Sequence, residues 1–401
     1  MTVAFGRPAR ALFALDEGAT FLNHGSFGAC PRDVLAEQER IRGGMEARPD
    51  EFFRAQVMPA ATLSQDGGGV SPSPSALSRA RAELAAFVGA EAGSIAFVEN
   101  ATVGVQCALR SMSFAAGDEI LITDHTYNAV RLMVEARCAE TGATARTVCI
   151  TLPTTAEAIA EAIEASLDDR VKLAILDHIT SPTALVFPLE RIVPRLRARG
   201  IRVLVDGAHA VGQVDLDMST LKPDWYVSNA HKWLFAPRGT ALLHASREAA
   251  SFTQPPVVSH FVGMGFPACF DWIGTRDYSP WLSVPAAIRF WKSMDAGAVR
   301  AHQRRLLAKC TELLAALGIE PIAPLEACAA MRSFVLAQSR PATPDDAHEV
   351  MRRCWDEERV QVMAVAFGGK LLLRVSAHVY VDPADLQRLA GALGRLGWPG
   401  R

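Results

Sequence analysis

Apolar residues in this chain fall into two kinds of run. Short apolar stretches at residues 95–98, 119–123, 173–177, 203–205 and 225–227 each stop abruptly at small or polar residues. Short runs bounded by turn signals read as buried strands. Longer stretches at 32–45, 76–88 and 102–112 place apolar residues at helical spacing. Strands alternating with helices as far as residue 250 predict an α/β fold, a doubly wound and mainly parallel sheet. Beyond it the pattern is helical over 286–318. Strands near 333–337 and 371–375 then complete a smaller α+β unit. The expected division is an N-terminal arm over 1–30, a large domain over 31–260 and a small C-terminal α+β domain over 261–401. Residues 59–75, rich in Gly, Ser and Pro, predict an irregular loop.

Composition narrows the function classes. Half of the 401 residues are apolar, enough for a sizeable core, and 41 basic residues stand against 43 acidic ones for a net charge of −2. That balance offers no basic footprint for nucleic acid or an anionic membrane. Asp16 and Glu17 interrupt the start of the chain, and no 18-residue uncharged apolar stretch occurs. The expectation is a soluble cytoplasmic protein without a membrane span. Eight cysteines, at 30, 107, 138, 149, 269, 310, 328 and 354, include no C-x-x-C pair. They read as small core residues in a reducing compartment, with no metal site and no disulfide framework.

Candidate chemistry concentrates in residues 201–234. One apolar run stops at Asp206, followed by Gly207-Ala208-His209; the next breaks into Ser228-Asn229-Ala230-His231-Lys232. Ligands of open α/β sheets sit beyond the carboxyl ends of strands, so Asp206 and Lys232 can face one crevice. A desolvated lysine can join an aldehyde, and a carboxylate can hold a pyridine nitrogen protonated. That is the division of labour expected for pyridoxal phosphate. A helix-capping Asp206 and a surface Lys232 are the plainer alternatives. A helix opening at Asn100-Ala101-Thr102 offers free N–H groups for a phosphate, or these are simply N-cap residues. Arg374 interrupts the apolar strand LLLRVS. A buried guanidinium needs an anion, either a bound carboxylate or an acidic side chain.

These motifs carry a resemblance. FLNHGSFG, DGAHAVGQ, SNAHKWL and LLLRVSAHVYVDPADL resemble fold-type I pyridoxal-phosphate enzymes of the class V aminotransferase family, its isopenicillin N epimerase-like branch above all. The resemblance implies a homodimer with shared active sites, acting on a small amino-acid substrate. Lys232 would be the cofactor-bearing lysine and Asp206 the partner of the ring nitrogen. His209 would bond the cofactor's phenolic oxygen or a carboxylate partner. Asn100, Ala101, Thr102, Ser228 and His231 would hold the phosphate, helped by Gly274 and Thr275 lent by the second subunit. His125 would stack on the ring, with Tyr127 a further contact. Asn23 and His24 on the arm, and Arg374 on its strand, would hold the substrate.

The resemblance leaves the reaction open among epimerisation, C–S β-elimination of the hercynylcysteine sulfoxide lyase type and transamination. Epimerisation needs a donor opposite Lys232, for which Tyr127, His125 and His24 are candidates. Cysteine desulfuration is disfavoured because residues 359–369 hold no cysteine, and Cys354 lies on a helical pattern. A non-catalytic binding module is disfavoured because Lys232, Asp206 and Arg374 are all present. The family usually has glycine where Ala184 stands, and Tyr-Asn where this chain has Tyr380-Val381-Asp382.

Overall fold

A computed structural model describes residues 4–58 and 74–398. The loop expected over 59–75 lies outside the described residues except for its last two, and there Ser75 caps the helix Ala76–Phe87 by accepting from Ser78 N–H. After a short strand β1 (Thr20–Phe21), seven strands build the large sheet. They are β2 (Ile95–Val98), β3 (Glu119–Thr123), β4 (Thr144–Val148), β5 (Val171–Asp177), β6 (Arg202–Asp206), β7 (Trp225–Ser228) and β8 (Ala241–Ala245). Their order is β2-β8-β7-β6-β5-β3-β4. Strands β3 to β7 are mutually parallel, and β8 runs antiparallel to both of its neighbours. The expected α/β sheet, mostly parallel, is what forms.

Both faces of this sheet are covered, which is why its strands read as continuous apolar runs. On β6, Val203 and Val205 join a core with helices Ala76–Phe87, Ala156–Ala165 and Leu189–Ala198. Leu204 between them joins the opposite core, with helix Ala101–Ser111 and with Val130 and Val134 of helix Asn128–Thr141. Edge strand β4 has mostly exposed side chains, so no apolar run announces it.

The rest of the chain adds β9 (Glu320–Pro321), β10 (Met331–Leu336), β11 (Val360–Gln361), β12 (Met363–Phe367) and β13 (Lys370–Ser376). Four of them form an antiparallel sheet ordered β12-β13-β10-β9. Helices Ala296–Ala315, Pro344–Asp356 and Pro383–Arg395 bury Leu307, Val350 and Leu389 against Phe334, Leu371 and Leu373 of that sheet. Helix Val284–Lys292 instead packs with Leu77 and Leu84 in the large-sheet core. The N-terminal segment is stitched to this part of the chain twice: β1 pairs in parallel with β11 in a separate two-stranded sheet, and Ser376 N–H at the end of β13 donates to the Leu22 carbonyl at 2.8 Å.

Candidate active site

Parallel strands end on one edge, and here β5, β6 and β7 deliver Asp177, Asp206 and the loop after Ser228 to the same place. Gly207 follows Asp206 because any Cβ there would overlap the Tyr226 ring. The resulting tight turn lets Ala208 N–H donate to Asp206 Oδ1 at 2.9 Å. After β7, Asn229 Oδ1 accepts from Ala101 N–H at 2.8 Å, which ties the lysine-bearing loop to the first turn of helix Ala101–Ser111. The ends of these elements enclose a cavity of about 210 Å³. It is lined by Ser26, Phe27, Ala101, Thr102, Tyr127, Asp177, Ile179, Ser181, Asp206, Ala208, His209, Asn229, His231 and Lys232.

The electrostatics of this cavity are set by burial. Lys232 Nζ lies 3.4 Å from His209 Nε2. Burial, reinforced by the nearby Arg374 charge and partly offset by Asp206, pushes the Lys232 ammonium down to about 7. Burial raises the Asp206 carboxyl, against the pull of Ala208 N–H and Lys232. Asp177 stands beside Asp206 in register; burial and then the Asp206 charge push it well above the usual carboxylate range. His209 is held neutral by burial and by the Lys232 charge. His231 donates through Nδ1 to the Thr240 carbonyl at 2.9 Å and is lowered by burial to about 4.

Arg374 is 2% exposed. Its Nη1 donates to the Ser181 carbonyl at 2.7 Å and to Ser181 Oγ at 3.1 Å, and its Nη2 donates to Ser26 Oγ at 3.2 Å. Both serines line the cavity. Nε has no partner, and among the described residues no carboxylate lies within ion-pair distance. The acidic side chain weighed as an alternative partner is therefore not what the strand buries. Asn23 supports this corner indirectly: its Oδ1 accepts from Ser26 Oγ at 2.7 Å.

Of the expected contacts, His24, His125 and Ser228 have side chains bonded away from the cavity. His24 does not face the cavity. It donates from Nε2 to the Lys232 carbonyl at 2.9 Å and accepts at Nδ1 from Tyr380 Oη at 2.7 Å. Burial lowers it to about 3, so it braces the lysine as a neutral ring. His125, expected on the cofactor ring, is fully buried behind the wall. Its Nδ1 is 2.6 Å from Thr183 Oγ1, and its ring packs edge-on to Phe367 at 4.7 Å; Tyr127 lines the cavity instead. Ser228 is also turned inward, donating to the Gly207 carbonyl and accepting from Val211 N–H at 3.2 Å. Asn100 caps helix Ala101–Ser111 through Val103 N–H at 3.0 Å. Gly274 and Thr275, expected to serve a second subunit, are exposed and line no part of this chain's own cavity.

Sequence reasoning missed Asp177, Ser181, Ser26, Phe27 and Asn229. For Asp177 a signal existed: LAILD ends in a carboxylate just as RVLVD does.

The residues present fit pyridoxal phosphate. Asp206 offers a buried carboxylate that receives one protein hydrogen bond and is free to accept from a ring N–H. Lys232 is a desolvated amine on the facing loop, and helix Ala101–Ser111 opens at the cavity with Thr102 in its first turn, where phosphate is favoured.

Comparison with known proteins agrees with this geometry. The family model described as Aminotransferase class-V matches residues 71–389. An isopenicillin N epimerase of Amycolatopsis lactamdurans is 33% identical over 97% of this chain and 98% of its own length. A putative L-cysteine desulfhydrase of Oryza sativa is 32% identical over 95% of this chain and 84% of its own length. Among solved structures, the cystine C–S lyase C-DES in complex with cysteine persulfide superposes with a TM-score of 0.76 at 22% identity. That match covers 94% of this chain and 97% of the lyase. An apo cysteine desulfurase of Thermococcus onnurineus gives 0.77 at 18% identity over 99% of both chains. Fold, cavity and sequence converge: the chain belongs to the class-V aminotransferase family of pyridoxal-phosphate-dependent enzymes.

Proposed function

We propose that this enzyme labilises the Cα–H bond of a free amino acid, and that its reaction is epimerisation. The observation that carries the reading is Arg374, a buried guanidinium with no anionic partner among the described residues, anchored between two serines of the cavity wall. The planar fork suits an α-carboxylate. Pyridoxal phosphate, when bound, supplies an electron sink for the negative charge left at Cα. Lys232 holds the cofactor and takes the proton; a value near 7 keeps much of the amine neutral at physiological pH, as a general base requires. Asp206 keeps the ring nitrogen protonated, and His209 orients the lysine end of the site. Thr102 and His231 serve the phosphate, while the exposed Gly274 and Thr275 suit a loop lent to a second copy in a homodimer. The working parts are then the arm (1–30), the large domain (31–260) and the small domain (261–401). The location is cytoplasmic, a reading supported by eight unpaired cysteines.

Epimerisation needs a proton donor opposite Lys232. Of the three candidates, His24 and His125 are committed to structural hydrogen bonds, and Tyr127 alone lines the cavity. That same reduction favours β-elimination as the second reading: Lys232 takes the Cα proton and the substituent on Cβ leaves with its bonding pair, so no donor opposite the lysine is required. A cysteine nucleophile has no support: no cysteine lines the cavity, and burial raises the Cys354 thiol to about 12.

The test is Arg374→Lys. A point charge cannot reproduce the fork, so amino-acid saturation should weaken by about tenfold or more while cofactor retention holds. Unchanged saturation with a lowered melting temperature would refute the carboxylate role.

A further inference from the structure

A second depression, of about 270 Å³, opens beside the cavity. The two share one side chain, Phe27, which lines both. Its ring is 68% exposed, an unusual setting for a large apolar group in a tightly turned segment. The turn is fixed: Gly28 has φ +69, and a Cβ there would collide with the His231 carbonyl. Phe27 is thus held at the mouth between the two spaces, against the lysine-bearing loop.

The depression is lined by apolar side chains and one cation. Leu15, Phe21 and Leu35 line it beside Phe27, with Cys30, Arg238 and Gln361 among the other lining residues. Arg238 is exposed and donates one hydrogen bond, from Nη2 to the Gly28 carbonyl at 3.1 Å. Among the described residues it makes no ion pair. It lies on the same loop as Lys232, and its charge is felt at His231 on the cavity wall and at His24. A volume of this size accommodates an extended side chain.

Resting on the reading that the cavity binds a free amino acid at Lys232 and Arg374, we infer that this trough is the side-chain subsite. The substrate class it selects is a long amino acid with an apolar stretch past Phe27 and a terminal carboxylate at Arg238. A side chain ending in ammonium would meet repulsion from Arg238, and one ending in methyl would leave that guanidinium unpaired.

The test uses the holoenzyme and linear L-2-amino acids of equal length that end in carboxylate, methyl or ammonium. Two readouts are taken, kcat/KM for deuterium exchange at Cα and calorimetric affinity. The acid-ended member should exceed the other two by about tenfold. Arg238→Gln should bring that ratio near unity, and Arg238→Lys should keep most of it because the charge remains. A ratio near unity in the natural protein, or one that Arg238→Gln leaves intact, overturns the subsite while leaving the Cα reading in place. If a second copy of the chain covers the trough, Arg238→Gln shifts the sedimentation of the protein and not the ratio, which also overturns it. If no amino acid binds or exchanges, the Cα reading fails and takes the subsite with it.

Discussion

At the scale of single residues, the site is a contest between burial and charge. Lys232 sits far from its ordinary value because burial and Arg374 both oppose its ammonium, and Asp206 only partly compensates. In the cofactor-free protein, amine labelling of Lys232 followed by peptide mass spectrometry should rise with a midpoint near pH 7; a midpoint near 10 would contradict the environment described. The sign for stability follows from linkage. Between about pH 7 and the ordinary lysine value, the unfolded chain binds a proton that the folded chain does not, so this group makes the cofactor-free fold more stable as pH rises through that window. Asp206 and Arg374 stood out in the sequence because one ends and the other interrupts an apolar run, and Lys232 because it closes the polar turn that follows Val227. The directions of His24, His125 and Ser228 were not. A loop histidine can turn either way, and what decides is a partner far along the chain, such as Tyr380 for His24 or Thr183 for His125.

At the scale of elements, five strands buried on both faces, β2, β3, β5, β6 and β7, were directly legible, while the equally buried β8 and the polar edge strand β4 were not. Turns carry finer information. Ala184, at a position where the family resemblance leads one to expect glycine, adopts φ +59 while fully buried. The left-handed conformation costs a non-glycine residue about 1–2 kcal/mol. Glycine would relieve that, but would lose a buried methyl, about 0.8 kcal/mol, and gain unfolded-chain entropy of about 0.4–1 kcal/mol. The terms nearly cancel, so Ala184→Gly should melt close to the parent. Ala184→Val, β-branched at the same φ, should melt well below it. Equal melting of the two variants would show that the turn is not held left-handed.

At the scale of the whole molecule, the N-terminal segment joins the two sheets. It bonds to the end of β13 in the small sheet through the Leu22 carbonyl, forms a two-stranded sheet with β11, and reaches the loop after β7 through His24 on the Lys232 carbonyl. Gly28 is the closest approach, with no room for a Cβ against His231. Gly28→Ala should therefore lower stability and also loosen cofactor retention. Gly117, at φ +92 with open space around it, provides the comparison: Gly117→Ala meets backbone strain alone, about 1–2 kcal/mol. If Gly28→Ala costs no more than Gly117→Ala and keeps its cofactor, the arm does not bear on the lysine loop. A mainly parallel α/β sheet followed by a smaller α+β unit was legible from periodicity. This bridge was not, because it depends on contacts some two hundred residues apart.

The central claim is that Lys232 removes the Cα proton of an amino acid held by Arg374. The most direct measurement is deuterium incorporation at Cα of an amino acid in heavy water, for the natural holoenzyme beside Lys232→Ala, with the products identified. Expected is incorporation by the natural enzyme, with inverted amino acid as product under the epimerase reading or keto acid and ammonia under elimination, and none by the variant. Undiminished incorporation by Lys232→Ala, or none by the natural enzyme across a panel of amino acids, would contradict the claim.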